Sequence, residues 1–252
     1  MNLQKAMHDF IDYTEPYNEI SDMCTLKIYH TIQVVNLCET IAKSIGLKEE
    51  DVELAKICGL LHDIGRFDQW KYFETFDDSK SVDHANLGVS IIDRNDWLHE
   101  ILNDEEKENI VRYSIFYHNK YKVDEELPER YKLFCNIVRD ADKIDILYLY
   151  TTNDICPNTK NKAFSEDIYE ALLQGKEIKK TDRKNEADRI AVSLGFIFDI
   201  NFKESVELLK REDYINQEID MYIERTKNEE FKHQLTKVKE RINGYMEERL
   251  TC

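Results

Sequence analysis

The stretch LAKICGLLHDIGR, residues 54–66, runs as an apolar helix into an adjacent histidine and aspartate. Glu49 and Glu50 suit the positive end of the dipole of this helix, which we expect to continue to about Asp63. A buried carboxylate is costly unless a cation offsets its charge. The stretch therefore predicts an interior site at which the Asp63 carboxylate needs a cationic partner.

Two further helices place a histidine on an apolar face. A helix over residues 22–45, stopped by Gly46, carries the stripe Met23, Leu26, His30, Val34, Leu37, Ile41 and Ile45. A helix over residues 104–118 carries Ile110, Val111, Ser114, Ile115 and His118. One such histidine is more often a hydrogen-bonded core residue than a ligand. Together with His62 and Asp63, the two histidines predict a site for a metal such as Zn, Mn or Fe.

The composition favours long helices. The chain has 252 residues with only 7 Gly and 3 Pro. At average usage, a chain of this length would contain about thirty Gly and Pro residues together. Its formal net charge is −16, which would repel nucleic acid and anionic membranes. We therefore expect an all-α protein that binds neither.

The remaining pattern predicts the order of elements. Further helices are expected over residues 84–93, 104–118, 128–150, 164–174 and 187–250. Asp83 is a predicted N-cap, Asn103 and Glu106 form a predicted capping box, and Pro128 is placed at a first helical position. Residues 64–82 are expected to form a loop. For the charged C-terminal helix we favour packing on the bundle over a coiled coil.

The cysteines and the N-terminus indicate a cellular location. Six cysteines lie without CxxC or zinc-ribbon spacing, at positions 24, 38, 58, 135, 156 and 252. We interpret them as reduced core residues. The chain shows no signal-peptide core and no apolar run of about 18 residues. We expect a soluble, cytoplasmic protein.

The order of the motifs resembles a known family. The motifs are His30, LLHDIGR over 60–66, DHANLG over 83–88, YHN over 117–119 and ADKID over 141–145. They resemble the HD-domain superfamily of metal-dependent phosphohydrolases, which are all-α helical bundles. Residues 194–202, LGFIFDINF, also look like the C-terminal part of bacterial members. The resemblance implies a single HD-type domain over 1–252, with a motif core at about 20–150 and a helical C-terminal extension at about 187–250. The polar residues 151–186 would then be an excursion of that domain.

The resemblance also implies a ligand set. A first metal would be held by His30, His62, Asp63 and Asp142, and a second by His84 and His118, with Asp63 bridging the two. Helical periodicity alone favours Asp145 over Asp142, and only the family pattern selects Asp142. Asp145 would then accept a hydrogen bond from a ligand histidine.

The implied activity is hydrolysis of a small phosphorylated substrate, a phosphomonoester or nucleotide, by a metal-activated water. The cofactors would be two divalent ions among Mn, Fe, Mg, Co, Ni and Zn. Asp63 and Arg66 are the expected catalytic residues, and Arg66, Asn119 and Lys143 the expected substrate contacts. A di-iron oxygenase remains open because the same ligands serve it. A metal-stabilised, non-catalytic binding or signalling module is the other alternative, and the complete ligand set argues against it. The expected partner is a small phosphorylated molecule, and a homodimer is allowed for.

Other residues carry weaker expectations. Trp70, Tyr72, Phe73 and Phe76 would either shape a pocket or pack in the core, with core packing favoured. The remaining histidines are expected to be surface or structural residues, at positions 8, 99 and 233.

Overall fold

The computed structural model describes residues 1–152 and 158–251, and every regular element within these ranges is helical. This confirms the all-α fold. The residues group into two compact units, Met1–Asp142 and Lys143–Cys252. A single HD-type domain over 1–252 stays a prediction. No helix in the two described ranges is both long and apolar enough to span a lipid bilayer.

The first unit holds seven complete helices and most of an eighth. They are α1 (Leu3–Asn18), α2 (Asp22–Ser44), α3 (Glu49–Leu61), α4 (Gly65–Phe73), α5 (His84–Arg94), α6 (Trp97–Leu102), α7 (Glu105–Tyr117) and α8 (Glu129–Thr152), which continues into the second unit. Helices α2 and α3 pack closely together, and α7 packs on α3 and on α5. The core of this unit therefore lies between the helices that carry the predicted histidines.

The turn between α2 and α3 follows its prediction. Gly46 has a φ of +80°, a left-handed conformation that glycine adopts without a steric penalty. The backbone nitrogens of Gly46 and Leu47 donate to the carbonyl groups of Lys43 and Ala42, which satisfies the end of α2. The buried face of α2 is rotated from the predicted stripe, because Met23 is exposed while Cys24 and Cys38 are fully buried.

Two local predictions were wrong. Residues 65–73 form α4 instead of part of a loop, because Gly65 to Gln69 are buried and α4 packs on α5. The N-cap of α7 is Asp104, whose side chain accepts from the backbone nitrogen of Lys107. Asn103 takes a left-handed φ of 47° at the end of α6 and does not open a capping box.

The cysteines within the described ranges behave as expected. Free, buried thiols are found at positions 24, 38, 58 and 135. Burial raises the pKa of Cys58 and of Cys135 to about 12, so both thiols stay protonated at neutral pH. Cys156 and Cys252 lie outside the described residues.

The second unit contains the end of α8 and the remaining helices. These are α9 (Glu166–Leu173), α10 (Asp188–Gly195), α11 (Lys203–Glu212), α12 (Tyr214–Arg225) and α13 (Glu229–Thr251). The predicted short helix near 164–174 corresponds to α9. Helix α13 packs on α9, α11 and α12 and buries Phe231, Leu235, Val238, Ile242 and Met246. This charged helix therefore packs on other helices of the second unit, and its packing on the motif-bearing helices stays a prediction.

Candidate metal centre

Four histidines lie close together in the first unit, one within a helix and three at helix ends. His30 lies within α2, while His62 and His118 cap the C-termini of α3 and α7. His84 is the first residue of α5, which Asp83 caps by accepting from the backbone nitrogens of Ala85 and Asn86. None of the four histidines is more than 4% exposed.

The carboxylate of Asp63 stands at the centre of these histidines. Its Oδ1 lies 3.3 Å from Nε2 of His84 and 3.4 Å from Nε2 of His118. Its Oδ2 lies 3.6 Å from Nε2 of His30 and 3.5 Å from Nε2 of His62. Each carboxylate oxygen thus faces its own pair of imidazole nitrogens, and Asp63 joins the two pairs.

Asp142 approaches the His30 and His62 pair from α8. Its Oδ1 lies 3.1 Å from Nε2 of His30 and 3.8 Å from Nε2 of His62. The six residues that the resemblance implied as ligands therefore meet in one place. Asp145, which periodicity favoured, is buried in the second unit. Its suggested contact with a ligand histidine stays a prediction.

Hydrogen bonds orient three of the imidazole rings. Nδ1 of His62 donates to the Gly59 carbonyl, and Nδ1 of His118 donates to the Ile115 carbonyl, both at 2.7 Å. Nδ1 of His84 donates to the Asp78 carboxylate at 2.8 Å. Because each Nδ1 carries the proton, each Nε2 presents a lone pair toward Asp63.

The charge state of the cluster is set by burial and by its own cations. Burial lowers the pKa of His62 to about 3, although Asp63 and Asp142 oppose the shift. Burial also works against ionisation of the two carboxyl groups. Nevertheless the ammonium group of Lys27, 2.6 Å from Oδ2, holds the pKa of Asp63 well below its usual range. Neutral imidazole and ionised carboxylate are the forms that bind a metal.

The donor set fits divalent metal ions. Nε2 of His84 lies 2.9 Å from Nε2 of His118, and Nε2 of His62 lies 3.3 Å from Nε2 of His30. The Nε2 lone pairs of His84 and His118 face each other at 2.9 Å and repel unless a cation lies between them. Ligand atoms bound at about 2.1 Å to one tetrahedral or octahedral ion stand roughly 3.0 to 3.4 Å apart. Two groups of side chains that could hold a metal share Asp63: His30, His62 and Asp63, and Asp63, His84 and His118.

Close backbone packing brings the His-Asp pair to α5. A Cβ atom on Gly65 would lie 2.1 Å from the His84 carbonyl oxygen and 2.7 Å from the Gly88 nitrogen. Only glycine allows the start of α4 to approach α5 at this distance. Gly65 therefore holds His84 beside Asp63.

Asp78 is a site residue that the sequence analysis missed. Besides His84, its carboxylate accepts from Nη1 of Arg66 at 3.0 Å and from Nε2 of Gln69 at 2.8 Å. It lies in the segment after α4, where no helical period marks one acidic residue among several. Only the folded chain shows that Asp78 orients His84.

Arg66 lies between Asp63 and Asp78. Its Nη1 donates to Gln69, to Asp78 and to the Phe76 carbonyl, at 2.8, 3.0 and 2.7 Å. Its Nε lies 3.5 Å from Oδ1 of Asp63 and is buried without a hydrogen-bond partner within residues 1–152 and 158–251. The structure thus brings Arg66 to the cluster, as predicted, and also gives it a role in fixing Asp78.

Lys27 is the second residue that was missed. Its Nζ lies 2.6 Å from Oδ2 of Asp63. The signal was present in the sequence, because Lys27 precedes His30 by three residues and so shares its face of α2. A lysine at such a position is usually interpreted as an amphipathic surface residue.

The other expected site residues are spread more widely. Nδ2 of Asn119 donates to Asp83 at 3.3 Å and to Asp78 at 3.4 Å, at the edge of the cluster. Lys143 belongs to the second unit, where its Nζ lies 2.7 Å from Oδ2 of Asp199. Of the four aromatic residues after the HD pair, Tyr72 and Phe73 are exposed, Trp70 and Phe76 are half-buried, and the Phe76 ring faces Lys27 and Arg66. The three histidines outside the motif, at positions 8, 99 and 233, are exposed.

Comparison with known proteins identifies the domain. The family model of the HD domain matches residues 28–147. No curated protein and no solved structure matches the chain. The matched range contains all six clustered His and Asp residues. Residues 28–147, just under half of the chain, are therefore similar to the HD domain.

Proposed function

We propose that the protein is a metal-dependent phosphohydrolase that acts on a small phosphorylated molecule, a phosphomonoester or a nucleotide. The observation that carries this proposal is the Asp63 carboxylate, whose two oxygens each face a different pair of histidine nitrogens. This arrangement supports a two-ion site bridged by Asp63, in which Asp142 completes the side of His30 and His62. Such ions supply an activated water and offset the negative charge that develops on a phosphoryl group.

The residues of the chain would prepare this chemistry in three ways. The Nδ1 hydrogen bonds hold the imidazole rings with Nε2 toward Asp63, so little reorganisation is needed on binding. Arg66 and Asp78 fix the His84 side of the site. Among the candidate substrate contacts, Arg66 has the most support because its Nε lies 3.5 Å from Oδ1 of Asp63 and has no hydrogen-bond partner among the described residues.

The proposal is tested by metal analysis followed by a phosphate-release screen. Protein purified without chelators is loaded with Mn, Fe, Mg, Co, Ni or Zn and tested on nucleotides, sugar phosphates and p-nitrophenyl phosphate. We expect about two ions per chain and phosphate release with at least one metal. Oxygen consumption without phosphate release would instead indicate a di-iron oxygenase, and bound metal with neither reaction a binding module.

Variants test the number of ions. His84→Ala should lower the metal content toward one ion per chain and abolish most turnover, because it removes a ligand on the Oδ1 side of Asp63. His99→Ala is the control, since the side chain of His99 is 63% exposed. A wild-type protein that holds one ion, retained when His84 and His118 are both replaced by Ala, would contradict the two-ion site.

A further inference from the structure

Lys27 reaches the candidate metal centre from the partly open side. Its Nζ donates to Oδ2 of Asp63 at 2.6 Å, while its side chain stays 19% exposed against 3% for that of Asp63. Lys27 is therefore a cation that contacts the buried cluster through a partly exposed side chain. A lysine has a flexible stem and three donors, so it can exchange one anionic partner for another.

Arg66 lies on the other oxygen of the same carboxylate. Its Nε is 3.5 Å from Oδ1 of Asp63, and its Cζ is 5.7 Å from the centroid of the Phe76 ring. Nζ of Lys27 is 5.9 Å from that centroid. Two cations thus flank Asp63 beside one aromatic ring, the arginine fixed by its hydrogen bonds and the lysine on a longer, unbranched stem.

Once divalent ions are bound, the balance of charge would favour an anion between these groups. Near Asp63 the cations Lys27 and Arg66 are offset by three carboxylates: Asp63, Asp142 and Asp78. Each divalent ion would add two positive charges, which would repel the ammonium group from Asp63. A phosphate group carries several oxygens and up to two negative charges, so it can accept from lysine and arginine together.

We propose that Lys27 and Arg66 form an anion subsite that receives the phosphate group of the substrate, with Lys27 as its principal donor. The inference rests on the proposed function, since it supplies the place where the phosphorylated substrate binds. The subsite can also be tested by measuring phosphate binding, without measuring turnover. The expected ligand is a phosphate monoanion or dianion whose remaining substituent extends toward solvent.

The test measures the affinity of inorganic phosphate for the metal-loaded protein by calorimetry. Lys27→Met removes the charge and keeps the aliphatic stem, and should weaken phosphate binding about tenfold or more while the metal content stays constant. Lys56→Met is the matched control. The side chain of Lys56 is 22% exposed and its Nζ lies 2.7 Å from Glu39. This control should bind phosphate as the wild type does.

Lys27→Arg keeps the charge and should retain most of the phosphate affinity. This result would show that the weaker binding of Lys27→Met is not caused by a folding defect. Unchanged phosphate affinity in Lys27→Met, or loss of metal from it, would overturn the subsite. A metal-loaded wild type that binds no phosphate would do the same. If phosphate binding depends on Lys27 but no ester is hydrolysed, the subsite stands and the proposed hydrolase activity fails.

Discussion

Asp78 orients one histidine of the candidate metal centre without being a ligand in the predicted set. Its Oδ2 lies 2.8 Å from Nδ1 of His84, and Arg66 and Gln69 hold the carboxylate in place. A carboxylate in this position keeps the proton on Nδ1 and makes Nε2 a better donor to a metal. Its effect should appear in metal affinity before it appears in folding.

We predict that Asp78→Asn weakens binding of the ion on the side of His84 and His118 by about 10- to 100-fold. Competition with a fluorescent chelator measures this affinity directly. Asp77→Asn is the matched control, because Asp77 is the adjacent carboxylate and bonds to Ser79 instead of a histidine. Equal metal affinity in wild type and Asp78→Asn would show that Asp78 does not support His84.

At this scale the sequence predicts the histidines better than the residues that support them. His30 and His118 stand out because an imidazole on an apolar helical face breaks the pattern of its neighbours. Asp142 does not stand out, since it lies at the edge of the apolar arc of α8, and only the family pattern selects it. Asp78 lies outside any periodic segment, so its contact with His84 depends on tertiary structure that no local pattern encodes.

Helix α4 shows the same limit for whole elements. Its charged and aromatic residues predict a loop, yet Gly65 to Gln69 are buried, with α4 packed on α5. The helix is stabilised by that packing more than by its own sequence pattern. The turn after α2 was predictable because a glycine at a helix C-terminus is a local signal, whereas a packing partner is not.

The close approach of α4 and α5 makes Gly65 intolerant of a side chain. Gly65→Ala places a Cβ atom against two backbone atoms that cannot move aside as a side chain can. We predict a loss of roughly 1 to 3 kcal/mol in the free energy of unfolding, together with weaker metal binding as His84 shifts. Urea unfolding and the chelator assay measure the two effects.

Gly244→Ala is the control for this substitution and should have the opposite sign. Gly244 lies inside α13, and a Cβ atom added there would meet no other atom within 4 Å, so alanine adds helix propensity without a clash. The expected gain is about 0.5 to 1 kcal/mol in the free energy of unfolding. A Gly65→Ala protein as stable as the wild type would refute the proposed contact.

For the whole chain, composition predicts the all-α fold but does not predict the boundary between the two compact units. The scarcity of Gly and Pro predicts long helices, and the described residues are helical wherever they are regular. Along the chain, the boundary between the two compact units falls within α8, between Asp142 and Lys143. A continuous helix carries no loop or change of composition at such a boundary, so the sequence offers no signal for it.

The stability of the chain should also depend on a buried acid far along the sequence from the metal motifs. Glu218 on α12 is fully buried, and its Oε1 lies 2.8 Å from Oγ of Ser193. That hydroxyl donates to Oε1 of Glu218 and also lies 2.9 Å from the Ile190 carbonyl. Burial raises the pKa of Glu218 to about 8, while the Ser193 hydrogen bond opposes the shift.

The raised pKa of Glu218 determines whether the stability of the folded chain rises or falls with pH. Between the ordinary glutamate pKa, about 4.3, and about 8, the folded chain keeps a proton that the unfolded chain releases. The stabilisation that protonated Glu218 gives the folded state is therefore fully present at low pH and is lost as the pH rises through 8.

Glu218→Gln, which mimics the neutral acid, should become more stable relative to the wild type as the pH rises from 5 to 8, by on the order of a few kcal/mol in the free energy of unfolding. Urea unfolding at fixed metal concentration measures the difference, and Glu224→Gln, exposed on the same helix, should show none. Parallel curves for wild type and Glu218→Gln would mean that Glu218 is ionised in the folded chain.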